Sequence, residues 1–271
     1  MMKFTKAIAL AALAAGFIAT SAPAMAQDAA AEPTPDFTFT GNIALTNNYI
    51  FRGFSQTNGD FAVQGGMDLS HKSGLYVGTW ASNVEFKDQP GPGQNVSTIE
   101  IDLYGGYKGT FGNSIFSYDV GAIFYAYPGD AGIGYDYWEF YAKLNADLGF
   151  MTLGTGFVYS PDFFANTGDM INVPLNFSIP IPLGSDTWGL SIGGQLGYNV
   201  FTETGVTWDG IHDDYWNWNI GLTVAITDWF NVDLRYHDTS LNGVACKALR
   251  CDEQFTAMIS RGRDTGAKPT K

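Results

Sequence analysis

The side chains that could do chemistry in this sequence are charged and amide groups placed at every second position between apolar residues. The strongest candidates are Arg52, Asp68, Glu100, Asp102, Asp119, Glu139, Lys143, Asp233 and Arg235. Two interpretations remain open for such a set. The groups could line a water-filled pore with a mild preference for cations or neutral polar solutes. Alternatively, they could pair with one another and fill the interior with hydrogen bonds and ion pairs.

Catalysis has little support in the sequence. His71, His212 and His237 are the three histidines, and no G-x-S-x-G motif is present. His237, Asp238 and Ser240 are close in sequence, but adjacent residues of a strand point to opposite faces, so they cannot form a triad there. We therefore expect no enzymatic activity and no cofactor.

The two cysteines, Cys246 and Cys251, lie five residues apart. In an exported chain, an oxidising compartment favours a disulfide that closes a small loop. A zinc site would need further cysteine or histidine ligands, which this region lacks. The sequence thus predicts a Cys246–Cys251 disulfide and no metal site.

Alternation over residues 37–52 identifies the element that carries these polar groups. Apolar Phe37, Phe39 and Ile43 fall on one parity, and Asn42 and Arg52 fall on the other. A period of two predicts an extended strand with one apolar and one polar face. This stretch exceeds the usual strand length of about 5–6 residues, whereas a strand that crosses a bilayer needs about 9–11. The pattern is typical of outer-membrane β-barrels.

The same alternation recurs along the chain and predicts about twelve strands. They are Phe37–Arg52, Phe61–Ser70, Leu75–Phe86, Thr98–Thr110, Ser114–Tyr127, Tyr137–Leu148, Phe150–Ser160, Met170–Ile181, Trp188–Asn199, Tyr215–Ala225, Phe230–Asp238 and Gln254–Ser260. Long and short connections alternate between them, as external loops and periplasmic turns do in such barrels. The sequence therefore predicts an all-β fold, a transmembrane antiparallel up-and-down β-barrel.

Aromatic residues suggest where the strands meet the membrane surfaces. Six tryptophans lie near predicted strand ends, where aromatic girdles form: Trp80, Trp138, Trp188, Trp216, Trp218 and Trp229. On the third strand, Tyr76, Trp80, Val84 and Phe86 form the apolar side, which we expect to face lipid.

The ends of the chain indicate export. Lys3 and Lys6, an uncharged apolar stretch and an Ala24-Met25-Ala26 site predict a Sec signal peptide over residues 1–26. We expect a flexible lead-in over 27–36, the barrel over 37–262, and a polar tail over 263–271. The net charge of −13 argues against nucleic acid as a partner.

Several segments resemble a known family. They are Gly41–Thr57, Ala62–Asp68, Gly74–Val84, Glu100–Tyr107, Tyr137–Tyr141 and Asp238–Ser240 followed by the paired cysteines. They are similar to the proteobacterial porin-type proteins labelled TorF, also called the Gcw-chp outer-membrane proteins. The resemblance covers nearly all of the mature chain and implies an outer-membrane barrel with a pore role. It implies no catalytic residues. The chain departs from such barrels at its end, where the usual terminal aromatic residue is missing.

We therefore expect a monomeric barrel in the cell outer membrane that passes small polar solutes or ions. Its expected partners are outer-membrane lipids, lipopolysaccharide and the barrel-assembly machinery. Arg52 and residues 53–60 are the best candidates for a constriction at the external mouth. The alternatives are a closed barrel that displays loops for adhesion or envelope integrity, and a secreted polysaccharide-binding β protein.

Overall fold

The computed structural model describes residues 35–86, 97–130, 132, 134–185, 187–203, 205–208, 210–226 and 230–264, with only the backbone for the last two. The predicted signal peptide (1–26) and most of the predicted lead-in lie outside the described residues, as do residues 265–271 of the tail and Trp229.

The described chain consists mainly of strands, with one short helix. The elements are β1 Phe37–Thr46, β2 Ile50–Phe51, β3 Phe54–Ser55, β4 Ala62–His71, β5 Leu75–Asn83, β6 Ile99–Thr110, β7 Phe116–Ala126, β8 Tyr137–Asp147, β9 Thr152–Ser160, β10 Met170–Ile181, β11 Trp188–Phe201, β12 Asp214–Ile226, β13 Phe230–Thr239, α1 Gly243–Leu249 and β14 Gln254–Asp264. Among the described residues, no helix is both long enough and apolar enough to cross a membrane.

Twelve of these strands form a closed antiparallel barrel in the order β1, β14, β13 and so on down to β4, which returns to β1. Closure occurs between the first and last strands, where Thr46 pairs with Met258 and Thr40 with Asp264. The predicted up-and-down barrel is thus confirmed. The last strand is longer than expected and includes Arg263 and Asp264, which the sequence analysis assigned to the tail.

The connections sort by length onto the two ends of the barrel. One end carries the residues that join β4 to β5 (72–74), β6 to β7 (111–115) and β8 to β9 (148–151), and we name it the short-turn end. The other end carries the longer connections, such as 127–136, 161–169 and 202–213, and we name it the long-loop end. The predicted alternation of connection lengths therefore corresponds to a real separation of the two ends.

Alternation along the strands separates an apolar outside from a polar lumen. On β6, Leu103 is 53% exposed while its neighbour Asp102 is 0% exposed. The outward apolar side chains of the other strands, such as Ile43 and Leu175, are exposed in the same way. Because exposed apolar surface on this scale is rare in soluble monomers, the outer face matches a lipid-facing surface.

The expected orientation of β5 is wrong. Tyr76, Trp80 and Val84 point into the barrel and are buried, whereas Leu75 and Val77 lie on the outer face. Both faces of this strand carry apolar residues, so alternation alone could not decide which one meets lipid. Trp80 therefore cannot belong to an aromatic girdle, while Trp138, Trp188 and Trp216 are exposed near strand ends.

The first strand also ends earlier than predicted. β1 stops at Thr46, and the chain then enters the barrel as an inward segment, residues 47–60, which contains the short hairpin β2–β3. Arg52 and Gly53 form its tight turn with φ values of 48° and 91°. Alternation continues through Arg52 because Tyr49 and Phe51 are apolar. These rings, however, pack against interior aromatic rings and not against lipid.

Aromatic side chains close the interior around the inward segment. Tyr49 packs on Trp80, and Phe51 packs on Tyr125. Trp208, in the connection between β11 and β12, stacks on Phe201 with ring centroids 4.2 Å apart. This cluster forms the buried core of the protein at the long-loop end.

Candidate functional site

The candidate site is the lumen of the barrel, where a cavity of about 170 Å³ lies beside the inward segment. Five of the sequence-predicted residues line it: Arg52, Glu139, Lys143, Asp233 and Arg235. Much of the remaining lining consists of amides, namely Asn48, Gln64, Asn145, Asn172, Asn176, Gln195, Asn217 and Asn219. Such a surface offers hydrogen-bond donors and acceptors to polar solutes.

Arg52 fastens the inward segment to the barrel wall. Its two terminal nitrogens donate to the two carboxylate oxygens of Glu139 on β8, at 2.6 and 2.9 Å. Its backbone carbonyl accepts from the hydroxyl of Tyr215 at 2.8 Å. Bidentate pairing of this kind fixes the orientation of the Arg52 guanidinium and also compensates the charge of the carboxylate. The structure therefore places Arg52 inside the lumen, on the segment that the sequence analysis expected to form a constriction.

Glu100 on β6 anchors the segment at a second point. Its carboxylate accepts hydrogen bonds from the hydroxyls of Tyr49, at 2.8 Å, and of Tyr127. Tyr49 and Tyr127 lie outside the barrel strands, and burial raises the pKa of both phenols well above the usual value. Their hydroxyls therefore stay protonated and remain donors to Glu100.

Asp102 differs from the other carboxylates of this region. It lies two positions after Glu100 on the same face of β6 and is fully buried. Neither of its carboxylate oxygens has a hydrogen-bond partner, and the same is true of both polar side-chain atoms of buried Gln64. Unsatisfied buried polar groups are uncommon in proteins, so these two residues require an explanation.

The remaining sequence-predicted residues are paired toward the short-turn end. Asp68 accepts from the hydroxyl of Tyr104 at 2.7 Å, and Asp119 accepts from the hydroxyl of Tyr76 at 2.6 Å. The ammonium of Lys143 lies 4.2 Å from the ring centre of Tyr141.

On the other side of the barrel, Arg235 forms an ion pair with Asp233 at 2.8 Å. Asp233 also accepts from the hydroxyl of Thr223, and Arg235 donates to Asn219. The two charges of this pair compensate each other. The hydrogen bonds named here go to residues of the barrel wall and not to the inward segment.

The tyrosines of the lumen are the functional candidates that the sequence analysis missed. Tyr76, Tyr104 and Tyr125 donate to the acidic residues Asp119, Asp68 and Glu139, respectively. Tyr104 shares the parity of Glu100 and Asp102, so a signal was present. It was overlooked because aromatic residues in a barrel are usually assigned to the lipid face.

The predicted disulfide is present, and its loop contacts the inward segment. Cys246 and Cys251 are bonded and fully buried. Arg250, in the loop that they close, accepts a hydrogen bond at its carbonyl from the backbone N–H of Ser55 at 3.1 Å. Its guanidinium donates to Asn58 at 2.9 Å. The disulfide loop therefore holds the outer part of the segment.

Metal-binding clusters of three or more His, Cys, Asp or Glu residues do not occur among the residues that the structure describes. His237, the histidine on the lumen side, pairs with the hydroxyl of Thr256 and has no acid in hydrogen-bonding contact. The described lumen residues thus include groups that can bind polar solutes.

Comparison with known proteins gives one family and several solved structures of similar fold. The family model described as "Bacterial protein of unknown function (Gcw_chp)" matches residues 30–261. No curated protein sequence matches the chain. Because residues 30–261 include almost all of the described barrel, the family match applies to the whole fold.

Among solved structures, the chain is similar to the KdgM porin at 10% identity and a TM-score of 0.50, covering 83% of this chain and 97% of that one. It is also similar to the NanC porin, at 8% identity, 83% and 97% coverage and a TM-score of 0.48. LpxR from Salmonella typhimurium matches at 8% identity, 82% and 99% coverage and a TM-score of 0.45. At these identities, the KdgM likeness supports the barrel fold and nothing further, and the two weaker ones carry no argument.

Proposed function

Because the chain belongs to the Gcw_chp family of bacterial proteins and folds as a porin-like twelve-stranded barrel, we propose that it is a channel of the outer membrane. In this proposal, small polar solutes or ions diffuse passively through the lumen, and no reaction is catalysed. Export by the Sec signal and insertion by the barrel-assembly machinery among lipid and lipopolysaccharide belong to the same proposal, as does a monomeric state.

The observation that carries the proposal is the lumen cavity itself. Amide and charged side chains surround it, while the opposite faces of the same strands carry exposed apolar residues. A buried protein core would exclude so many polar groups, whereas a water-filled passage accepts them. The inward segment narrows this passage, so conduction requires solutes to pass beside it or to displace it.

A closed barrel that displays its loops is the second candidate, and the inward segment favours it. The Arg52–Glu139 pair and the Tyr49–Glu100 bond hold that segment across the lumen. A secreted polysaccharide-binding protein has less support, since it would leave the apolar outer face in water.

Planar-bilayer recording of the purified, folded protein tests the proposal. We expect discrete current steps in potassium chloride. Asn176, which lines the cavity, and Leu175, which is 51% exposed on the outer face, are neighbours on β10. Asn176→Trp should reduce the step size by narrowing the lumen, while Leu175→Trp should leave it unchanged.

The absence of current from protein that shows folded-barrel mobility on gels would reject the channel proposal and favour the closed barrel. Equal step sizes in the two tryptophan variants would show that current does not follow this lumen.

A further inference from the structure

Among the described residues, five charged side chains line the lumen cavity, and each faces an opposite charge. Arg52 pairs with Glu139, and Arg235 pairs with Asp233. The fifth, Lys143, lies opposite an aspartate of β7 in the register of β7 and β8. A charged solute that filled the cavity would have to break one of these pairs or lose its water without gaining a counter-charge, and either step is costly. The cavity therefore favours solutes without a net charge.

Gln64 on β4 differs from the other polar residues of the cavity wall. It is 2% exposed and lines the cavity, and among the described residues neither its amide oxygen nor its amide nitrogen has a hydrogen-bond partner. The registers explain this, because its neighbour Ala44 has no polar side-chain atom and the hydroxyl of its neighbour Ser82 donates to the carbonyl of Asn83. A buried amide without partners is costly. Gln64 therefore indicates a ligand that offers it both a donor and an acceptor.

Amides of the opposite wall are held by one another. β4 and β10 lie six positions apart in either direction around the closed order of strands. Asn172 on β10 donates to Asn199 on β11 at 2.8 Å, and Asn199 donates to Asn217 on β12 at 2.8 Å. Asn172 and Asn217 line the same cavity as Gln64. Because an amide carries two donors and two lone pairs, these bonds fix the orientation of both side chains without using all of their hydrogen-bonding capacity.

Tyrosine rings add apolar surface between these amides. Tyr104 and Tyr125 line the cavity, and their hydroxyls donate to Asp68 and Glu139. With the hydroxyls engaged in this way, the rings contribute mainly carbon atoms to the wall. A site that combines aromatic surface with a few fixed polar groups suits a solute with apolar C–H faces and polar edges, as a sugar ring has.

We infer that the cavity binds a neutral, polyhydroxylated solute of monosaccharide size, with Gln64 as a residue that determines this specificity. A hydroxyl group both donates and accepts, so adjacent hydroxyls satisfy the amide oxygen and the amide nitrogen of Gln64 together. The inference rests on the proposed channel function and names the class of solute that the channel passes. It concerns solutes that fill the cavity and does not exclude the passage of small hydrated ions.

Saturation-transfer NMR with three related sugars tests the inference. The folded protein is kept in micelles of a detergent without a sugar head group, at slightly acidic pH. D-Glucose, D-glucosamine and D-glucuronate then present the same ring with no charge, a positive charge and a negative charge. D-Glucose should bind about tenfold more tightly than either charged sugar, since each of these brings a net charge to a wall whose own charges are already paired.

Two variants test the part that Gln64 plays. Gln64→Met keeps the length of the side chain and removes the amide, so it should weaken D-glucose binding by about tenfold, the effect of one or two net hydrogen bonds. Asn231 provides the control: it lies on β13 two positions before Asp233, on the same face, and does not line the cavity. Asn231→Leu should leave D-glucose binding unchanged.

Equal binding of the three sugars, tighter binding of a charged sugar, or undiminished D-glucose binding by Gln64→Met would overturn the inference. If Gln64→Met fails to fold, the order of the three sugars in the wild-type protein decides. Uptake of labelled D-glucose into lipid vesicles that contain the protein tests the proposed function separately. Binding without uptake above that of empty vesicles would reject the channel and leave the binding site, whereas uptake without binding would overturn the inference and leave the channel.

Discussion

Breaking the Arg52–Glu139 pair should release the inward segment. The two side chains are only 10% and 3% exposed, and their nearest nitrogen and oxygen are 2.6 Å apart. Removing one partner of a buried pair costs about 3–5 kcal/mol, mainly because the other charge stays buried and unpaired. The pair exists only while the segment is seated, so this cost falls on the seated state. The equilibrium should shift toward release by roughly a hundredfold or more.

Single-channel recording measures this shift as the open fraction, which is the fraction of time that the channel conducts because the inward segment is released. Arg52→Gln and Glu139→Gln should each raise it. The double variant should raise it by less than the product of the two single effects, because two neutral amides leave no buried charge unpaired. We expect a coupling of at least about 1 kcal/mol in this double-mutant cycle.

Arg235→Gln provides the matched control, since it breaks a buried pair of similar exposure whose other hydrogen bonds go to Gly193, Asn219 and Thr223, outside the inward segment. This variant should lower the free energy of unfolding and leave the open fraction unchanged. Additive effects of Arg52→Gln and Glu139→Gln, or the same open fraction in all variants, would refute the assignment of this pair as the contact that holds the segment.

Three further predictions concern the disulfide loop, the lipid face and a long loop. Replacing Cys246 and Cys251 by serine should lower stability by about 2 kcal/mol and raise conductance, as measured by unfolding and bilayer recording; unchanged conductance would exclude the loop as an anchor. Leu103→Lys should cost about 2–4 kcal/mol in folding into lipid vesicles, and Phe116→Lys, near a strand end, about 0–1; equal costs would contradict the membrane position. Backbone N–H groups of the 127–136 loop lower the pKa of Asp130 below 3.8. Its contribution to stability should therefore persist until the pH falls below that value, and Asp130→Asn should make the loop protease-sensitive even at neutral pH.

Much of the barrel could be predicted from the sequence because its strands are long and their periods are consistent. The polar parity of β6 identified Glu100 and Asp102, and that of β8 identified Glu139 and Lys143, as inward-facing. When one face of a strand meets lipid and the other meets water, the alternation alone shows which residues face inward, and no knowledge of tertiary contacts is required.

Two predictions were wrong, namely the orientation of β5 and the end of the first strand, and both errors have one physical cause. On β5, both parities carry apolar residues, and Tyr76 and Trp80 proved to be interior. After Thr46, the apolar parity continues through Tyr49 and Phe51 although the chain has already turned inward. A lumen filled by an aromatic segment is itself apolar in places, so alternation no longer distinguishes lipid from interior.

The contacts of the site could not be predicted from the sequence. Arg52 and Glu139 are 87 residues apart, and their meeting depends on how deeply the inward segment enters the barrel. The sequence could suggest a constriction at this segment and an excess of acids inside. It could not show that one base of the segment pairs with one acid of the wall.

The central claim is that apolar side chains face lipid while polar ones enclose the lumen. Spin labels placed singly at residues 140–145 of β8 in a reconstituted bilayer test it directly. Labels at 140, 142 and 144 should collide with oxygen dissolved in the lipid, and labels at 141, 143 and 145 should not. Loss of this two-residue alternation, with the outer positions shielded from the hydrocarbon, would contradict the account.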